Sequence, residues 1–80
     1  MKISHVDFYS GSKGEEYPKK IYTSSRTITV ERIIETKLEE DFYSGERKKI
    51  FLFRSLENDF YQLKIGRKYF ELKKLKVKDE

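Results

Sequence analysis

The chain has no cysteine and no tryptophan, and only one histidine, one proline and one methionine among its 80 residues. Without cysteine there is no disulfide, no thiolate metal ligand and no thiol nucleophile. With His5 as the lone imidazole, a histidine metal cluster is excluded, and one ring would have to serve every imidazole base role. Its neighbour Ser4 points the opposite way on an extended backbone, so the two do not make a nucleophile and base. No long apolar run occurs, and Met1-Lys2-Ile3-Ser4-His5 opens the chain without one. Neither a signal peptide nor a membrane span is expected, which predicts a cytoplasmic protein with no membrane partner.

What the chain has in plenty is charge and rings. Lys and Arg number 18 against 14 Asp and Glu, for a net charge of +4, and there are 6 Tyr and 6 Phe. The basic excess falls entirely in residues 41–80; residues 1–40 balance. A basic excess points toward nucleic acid. A well-mixed Lys/Glu surface that only keeps the protein soluble accounts for the same numbers. At this length one domain is expected, with a small core: residues 1–77 as a single β domain and residues 78–80 as a frayed end.

The fold is most legible between Lys49 and Leu75. Ile50-Phe51-Leu52-Phe53, Phe60 to Ile65, and Tyr69-Phe70-Glu71-Leu72 are apolar runs separated by Leu56-Glu57-Asn58-Asp59 and by Gly66-Arg67. Strands joined by such short polar turns form an antiparallel meander. Period two puts Tyr61, Leu63 and Ile65 on one face, and Phe70 with Leu72 on one face, leaving Tyr69 on the wet side. Both faces of the Ile50–Phe53 run are apolar, which marks a central strand.

The first half supplies the covering layer. Residues 3–9 read as a strand, Ser10 to Pro18 as a loop, and Lys19 to Thr23 as a strand. Residues 27–38 are two-sided. Ile28, Val30 and Ile34 alternate, while Val30, Ile33, Ile34 and Leu38 also fit a helical stripe. The β-branched density favours a strand through about Thr36, against a helix from Thr29 to Glu40. The tail from Lys73 alternates loosely and suits an edge strand. Together these predict an all-β fold: a small SH3-like barrel or rolled antiparallel sheet of five to six strands, ending in the C-terminal meander. The expected core is Val6, Phe8, Ile21, Ile28, Val30, Ile34, Phe51, Phe53, Leu63, Ile65, Phe70 and Leu72.

Catalytic chemistry finds little footing. Glu39-Glu40-Asp41 lacks the loop spacing of a calcium site, and a solvated face accounts for it. Gly11-Ser12-Lys13-Gly14 lacks the frame of a phosphate loop, and ordinary turn geometry accounts for it. Asp7-Phe8-Tyr9-Ser10-Gly11 recurs as Asp41-Phe42-Tyr43-Ser44-Gly45, but the flanks do not align, so shared strand-to-turn chemistry explains the echo. The expectation is a non-enzyme with no cofactor, no metal and no catalytic residue. Cations interleaved with rings are more suggestive, because small β barrels hold strands of nucleic acid by stacking and phosphate contact. Arg47, Lys48, Lys49, Arg67, Lys68 and Tyr69 are the candidate contacts for single- or double-stranded nucleic acid. The alternative is a protein-interaction module, pairing through an edge strand or an aromatic patch.

Phe8-Tyr9-Ser10-Gly11, Gly14-Glu15-Glu16 and Pro18, then Val30-Glu31-Arg32-Ile33-Ile34, then Phe42-Tyr43-Ser44-Gly45-Glu46, and finally Tyr61-Gln62-Leu63 and Phe70-Glu71-Leu72 together resemble a small uncharacterised bacterial all-β family. The resemblance covers about residues 7–73. Members often carry tryptophan at these places, where this chain has none. Some are encoded beside lesion-bypass DNA polymerase accessory proteins, which implies at most a DNA-linked role; the family has no established catalytic residues to carry over.

Overall fold

The computed structural model describes residues 2–10 and 16–76. Six strands follow in order: β1 (Ile3–Ser10), β2 (Glu16–Thr23), β3 (Thr27–Glu40), β4 (Arg47–Ser55), β5 (Phe60–Ile65) and β6 (Phe70–Leu75). Each pairs antiparallel with its neighbours in sequence, in the order β1-β2-β3-β4-β5-β6. The fold is all-β, a rolled antiparallel sheet curled into a half-barrel, with the C-terminal meander as β4, β5 and β6. Residues 11–14, singled out above as a glycine loop, and the tail beyond Lys76 lie outside the described residues.

The roll originates in β3. Its register against β4 steps over Glu31, between Val30 and Arg32, and again over Ile34, between Ile33 and Glu35. An extra residue on one strand bends it and sharpens its twist. β2 pairs with β3 only at Thr27, Ile28 and Thr29. Beyond that it leaves the edge of β3 and covers the inner face, where Tyr17 meets Phe51 edge-on with ring centroids 6.3 Å apart. β1 follows, and Phe8 reaches Phe70 of β6 with centroids 6.4 Å apart. The small core closes between the layers: Val6, Ile21 and Ile28 on one side, Phe51, Phe53, Tyr61, Leu63 and Leu72 on the other.

Tyr61 is the largest fully buried side chain. It stacks on Phe53 at 5.5 Å and 20° between planes. Its hydroxyl accepts a hydrogen bond from Arg26 Nη2 at 2.8 Å, which is how a phenol is accommodated in so small a core. β4, with a partner on each side, is internal to the sheet, and its outward Ile50 is also buried.

Several local expectations change. No helix forms over Thr29–Glu40; the strand runs four residues past Thr36, to Glu40. Ser10, Glu16, Tyr17 and Pro18 are strand rather than loop. Pro18 sits opposite Phe8, beyond the stretch where β2 pairs with β3, so its missing N–H breaks no ladder there. Lys19, next to it, is the extra residue of a bulge between Asp7 and Phe8. Lys73 and Leu75 belong to β6 rather than to an added strand. Of the expected core, Ile34 is 40% and Phe70 43% exposed. Phe8, Val30 and Ile65 pack against the core but are only partly buried. Ile50 and Tyr61 join the buried set.

Phe53 is fully buried in the core cluster and stacks on Tyr61, so truncating it leaves a cavity in a small core. Phe53→Ala is expected to lose about 3–5 kcal/mol in chemical denaturation. A loss below about 1 kcal/mol would show that the core is not centred there.

Candidate interaction surface

The β3–β4 hairpin ends in a tip whose backbone is tied down by Asp41. Asp41 Oδ1 accepts from the amides of Tyr43 at 2.8 Å and Ser44 at 3.4 Å. Gly45 N donates to the Asp41 carbonyl at 2.8 Å, and Asp41 N donates to the Glu46 carbonyl at 2.9 Å. Asp is suited to this because its short carboxylate reaches amides two and three residues on. Gly45 completes the turn at φ +72°, where a Cβ would meet nothing in space but would strain the backbone. The result is a hydrogen-bonded turn that holds Phe42 and Tyr43 in water, at 97% and 103% of full exposure.

The β5–β6 turn lies beside this tip. Glu46 from the hairpin and Arg67, Lys68 and Tyr69 from the turn line one depression of about 340 Å³. Gly66 N donates to the Tyr69 carbonyl at 2.9 Å, and the Tyr69 ring lies where a side chain on residue 66 would be. Only glycine leaves room for that ring. On the inner face a row crosses four strands, with Leu38 opposite Lys49, Lys49 opposite Ile65, and Ile65 opposite Phe70. It lies past the end of the core, so Leu38 is left 62% exposed.

All six sequence-nominated contacts therefore fall at this end of the sheet, but they do not form a purely basic surface. Arg47 pairs with Glu40, Nε to Oε1 at 3.4 Å. Lys48 stands directly opposite Glu39 in the ladder. Glu39, Glu40, Asp41, Glu46 and Lys48 line a neighbouring depression. Among the described residues Lys48, Lys49, Arg67 and Lys68 make no ion pair within 4 Å; Lys48 has carboxylates around it, and Lys49, Arg67 and Lys68 are the freer cations. Two rings that a base-stacking site would need are spent otherwise: Tyr61 is buried, and Tyr69 packs on Gly66. Arg54 is also occupied, with Nη2 on Asn58 Oδ1 and Nε 3.9 Å from Glu31.

Sequence reasoning passed over one polar cluster. His5 and Asp7 share the outer face of β1, and Tyr22 of β2 lies opposite His5. Tyr22 Oη donates to Asp7 Oδ2 at 2.9 Å, and His5 Nε2 lies 2.7 Å from Oδ1. The His5 and Tyr22 rings are 5.6 Å apart. The hydrogen bond from Tyr22, and then that from His5, hold the Asp7 carboxyl below its ordinary range; the same bond pushes the Tyr22 phenol up. The i, i+2 spacing of His5 and Asp7 was visible, but Tyr22 required the β1–β2 register. Among the described residues no group of three or more His, Cys, Asp or Glu is arranged to hold a metal ion, and no helix is long and apolar enough to cross a membrane.

The chain is thus a small all-β half-barrel with an exposed aromatic tip on a hydrogen-bonded hairpin turn. Comparison with known proteins yields no matching family model, no matching curated protein and no matching solved structure.

The Asp7 cluster makes stability depend on pH with a definite sign. A carboxyl with a depressed folded pKa contributes above its unfolded value of about 4, and the contribution is lost as pH falls through the lower folded value. Asp7→Asn is therefore expected to be less stable than wild type near neutrality, with the gap closing in acid. Denaturant midpoints measured along a pH series check this; a gap that stays constant into acid would contradict it.

Proposed function

We propose that this protein is a protein–protein interaction module that seats the aromatic tip of its β3–β4 hairpin in a partner. The observation that carries this reading is the pair Phe42 and Tyr43, both almost wholly exposed on a turn fixed by Asp41. Two adjacent rings in water add nothing to the fold, whereas burying them against a partner gains large apolar area. The backbone of the turn is tied by hydrogen bonds, which lowers the backbone entropy lost on docking. Leu38 widens the apolar surface, and the mixed charges of Glu39, Glu40, Glu46, Arg47 and Lys48 suit the polar rim of such a contact.

The nucleic-acid reading has weaker support. It rests on Lys49, Arg67 and Lys68 beside Tyr69, with the carboxylate of Glu46 in the same depression. A phosphate approaching them meets that carboxylate and the Glu39–Asp41 cluster. The DNA-linked role implied by the family resemblance belongs to this same reading.

One experiment separates the two. A photo-cross-linking amino acid at position 43 is expected to give a discrete protein adduct in cells, and Phe42→Ser in the same chain should remove it. The Phe42→Ser/Tyr43→Ser double variant should keep its folding stability within about 0.5 kcal/mol, because both rings are exposed. Fluorescence polarisation with single- and double-stranded oligonucleotides is expected to show no binding that depends on Lys49, Arg67 and Lys68. Adducts to nucleic acid, or oligonucleotide affinity that falls with salt by about 0.7 log units per log unit of salt for each phosphate contact, would favour the other reading.

A further inference from the structure

β3 changes partner along its length: Thr27, Ile28 and Thr29 pair with β2, and Val30 to Glu40 pair with β4. Past Thr29, β2 turns away to cover the core, and among the described residues no strand pairs with the second edge of β3. Both bulges lie before Glu35, so residues 35–40 form an unbroken ladder against β4. That leaves a straight open edge of roughly 20 Å, with its outward amides and carbonyls unpaired.

Sheets commonly protect such an edge with bulges, proline or like charges. Residues 35–40 have neither bulge nor proline, and the charges are of mixed sign: Glu35 and Lys37 are opposite, followed by Glu39 and Glu40. Glu35 and Lys37 share the outer face, opposite Leu52 and Ile50, and touch each other at 3.3 Å. An antiparallel partner related by a two-fold axis at Thr36 would place Glu35 of each copy against Lys37 of the other. Thr36 would face itself, and Leu38 would come level with Ile34 of the second copy, covering two side chains that are 62% and 40% exposed.

Other registers fit less well. An axis at Glu35 opposes Glu35 to itself. An axis at Lys37 opposes Lys37 to itself and Glu35 to Glu39. An axis at Leu38 pairs Lys37 with Glu39, which already faces Lys48, and sets Glu35 against Asp41.

We propose that the open edge of β3 takes a second copy of this chain, antiparallel about Thr36, making one continuous sheet across a two-fold dimer. The pairing shares Leu38 with the apolar surface beside the tip but uses neither Phe42 nor Tyr43, and it does not depend on what those rings bind.

Sedimentation velocity from about 10 μM to about 1 mM tests it. The apparent mass is expected to rise from 9.7 kDa toward twice that value. Glu35→Lys or Lys37→Glu alone puts like charges opposite at two symmetry-related places and should weaken self-association about tenfold or more. An equimolar mixture of the two variants should associate again, because the two cations of one copy then face the two carboxylates of the other. Both residues are exposed, so far-ultraviolet circular dichroism should be unchanged in each variant. The Phe42→Ser/Tyr43→Ser variant should dimerise like wild type.

A wild-type chain that stays monomeric throughout overturns the proposal. So does a dimer that survives either charge reversal, one that Glu35→Lys strengthens, one that the tip variant abolishes, or a mixture that fails to associate.

Discussion

The structure depends on the bend in β3. A strand of 14 residues would otherwise hold the sheet flat. The two extra residues at Glu31 and Ile34 turn its first half away from its second. Thr27 to Thr29 then pair with β2 and carry Ile28 into the core, while Val30 to Glu40 pair with β4. Without that turn, β1 and β2 could not lie over Phe51 and Phe53. A six-stranded antiparallel sheet of this size would expose its apolar face to water. Stacking of Tyr61 on Phe53 and its bond to Arg26 fill the space that the bend encloses.

The same bend accounts for what is left uncovered. Among the described residues, β1 and β2 close over one end of the inner face and only Phe8, which meets Phe70, reaches toward the far end. Leu38, Phe70, the hairpin tip and the open edge of β3 are all found at that end. It also accounts for the charge balance there. The hairpin register brings Glu39 and Glu40 opposite Lys48 and Arg47, so much of the basic excess of the second half is answered locally. Beside the cations Lys49, Arg67 and Lys68, what remains prominent at that end is apolar and aromatic, which is the physical basis for proposing a protein partner.

How much of this was legible in the sequence follows from where bulges occur. β4, β5 and β6 pair without a register shift, so strict alternation placed Phe51, Phe53, Leu63 and Leu72 inward, and Tyr61 with them. In β3 the same rule fails at Glu31. After that residue it is Ile33, not Ile34, that stands opposite Phe53, and Ile34 is the residue stepped over. A bulge at a non-glycine residue leaves no mark in hydrophobic periodicity. Phe70 was given the right face but lies past the end of the core, a matter of three-dimensional extent that alternation does not carry. The candidate contacts were legible as residue types and even as one end of the fold. Their pairing with Glu39 and Glu40 was not, because it required residues 29–40 to be strand rather than helix.

The central claim is that β3 hands over from β2 to β4 after Thr29, so that residues 35–40 are paired on the β4 edge alone. Amide hydrogen exchange, followed residue by residue by NMR on a dilute sample, tests it directly. The account predicts sustained protection along Ile50–Arg54, which is flanked on both sides. It predicts alternating slow and fast amides over residues 35–40, as every second N–H points away from β4. Uniform slow exchange over residues 35–40 at dilution would mean that another segment covers that edge, and would contradict the account.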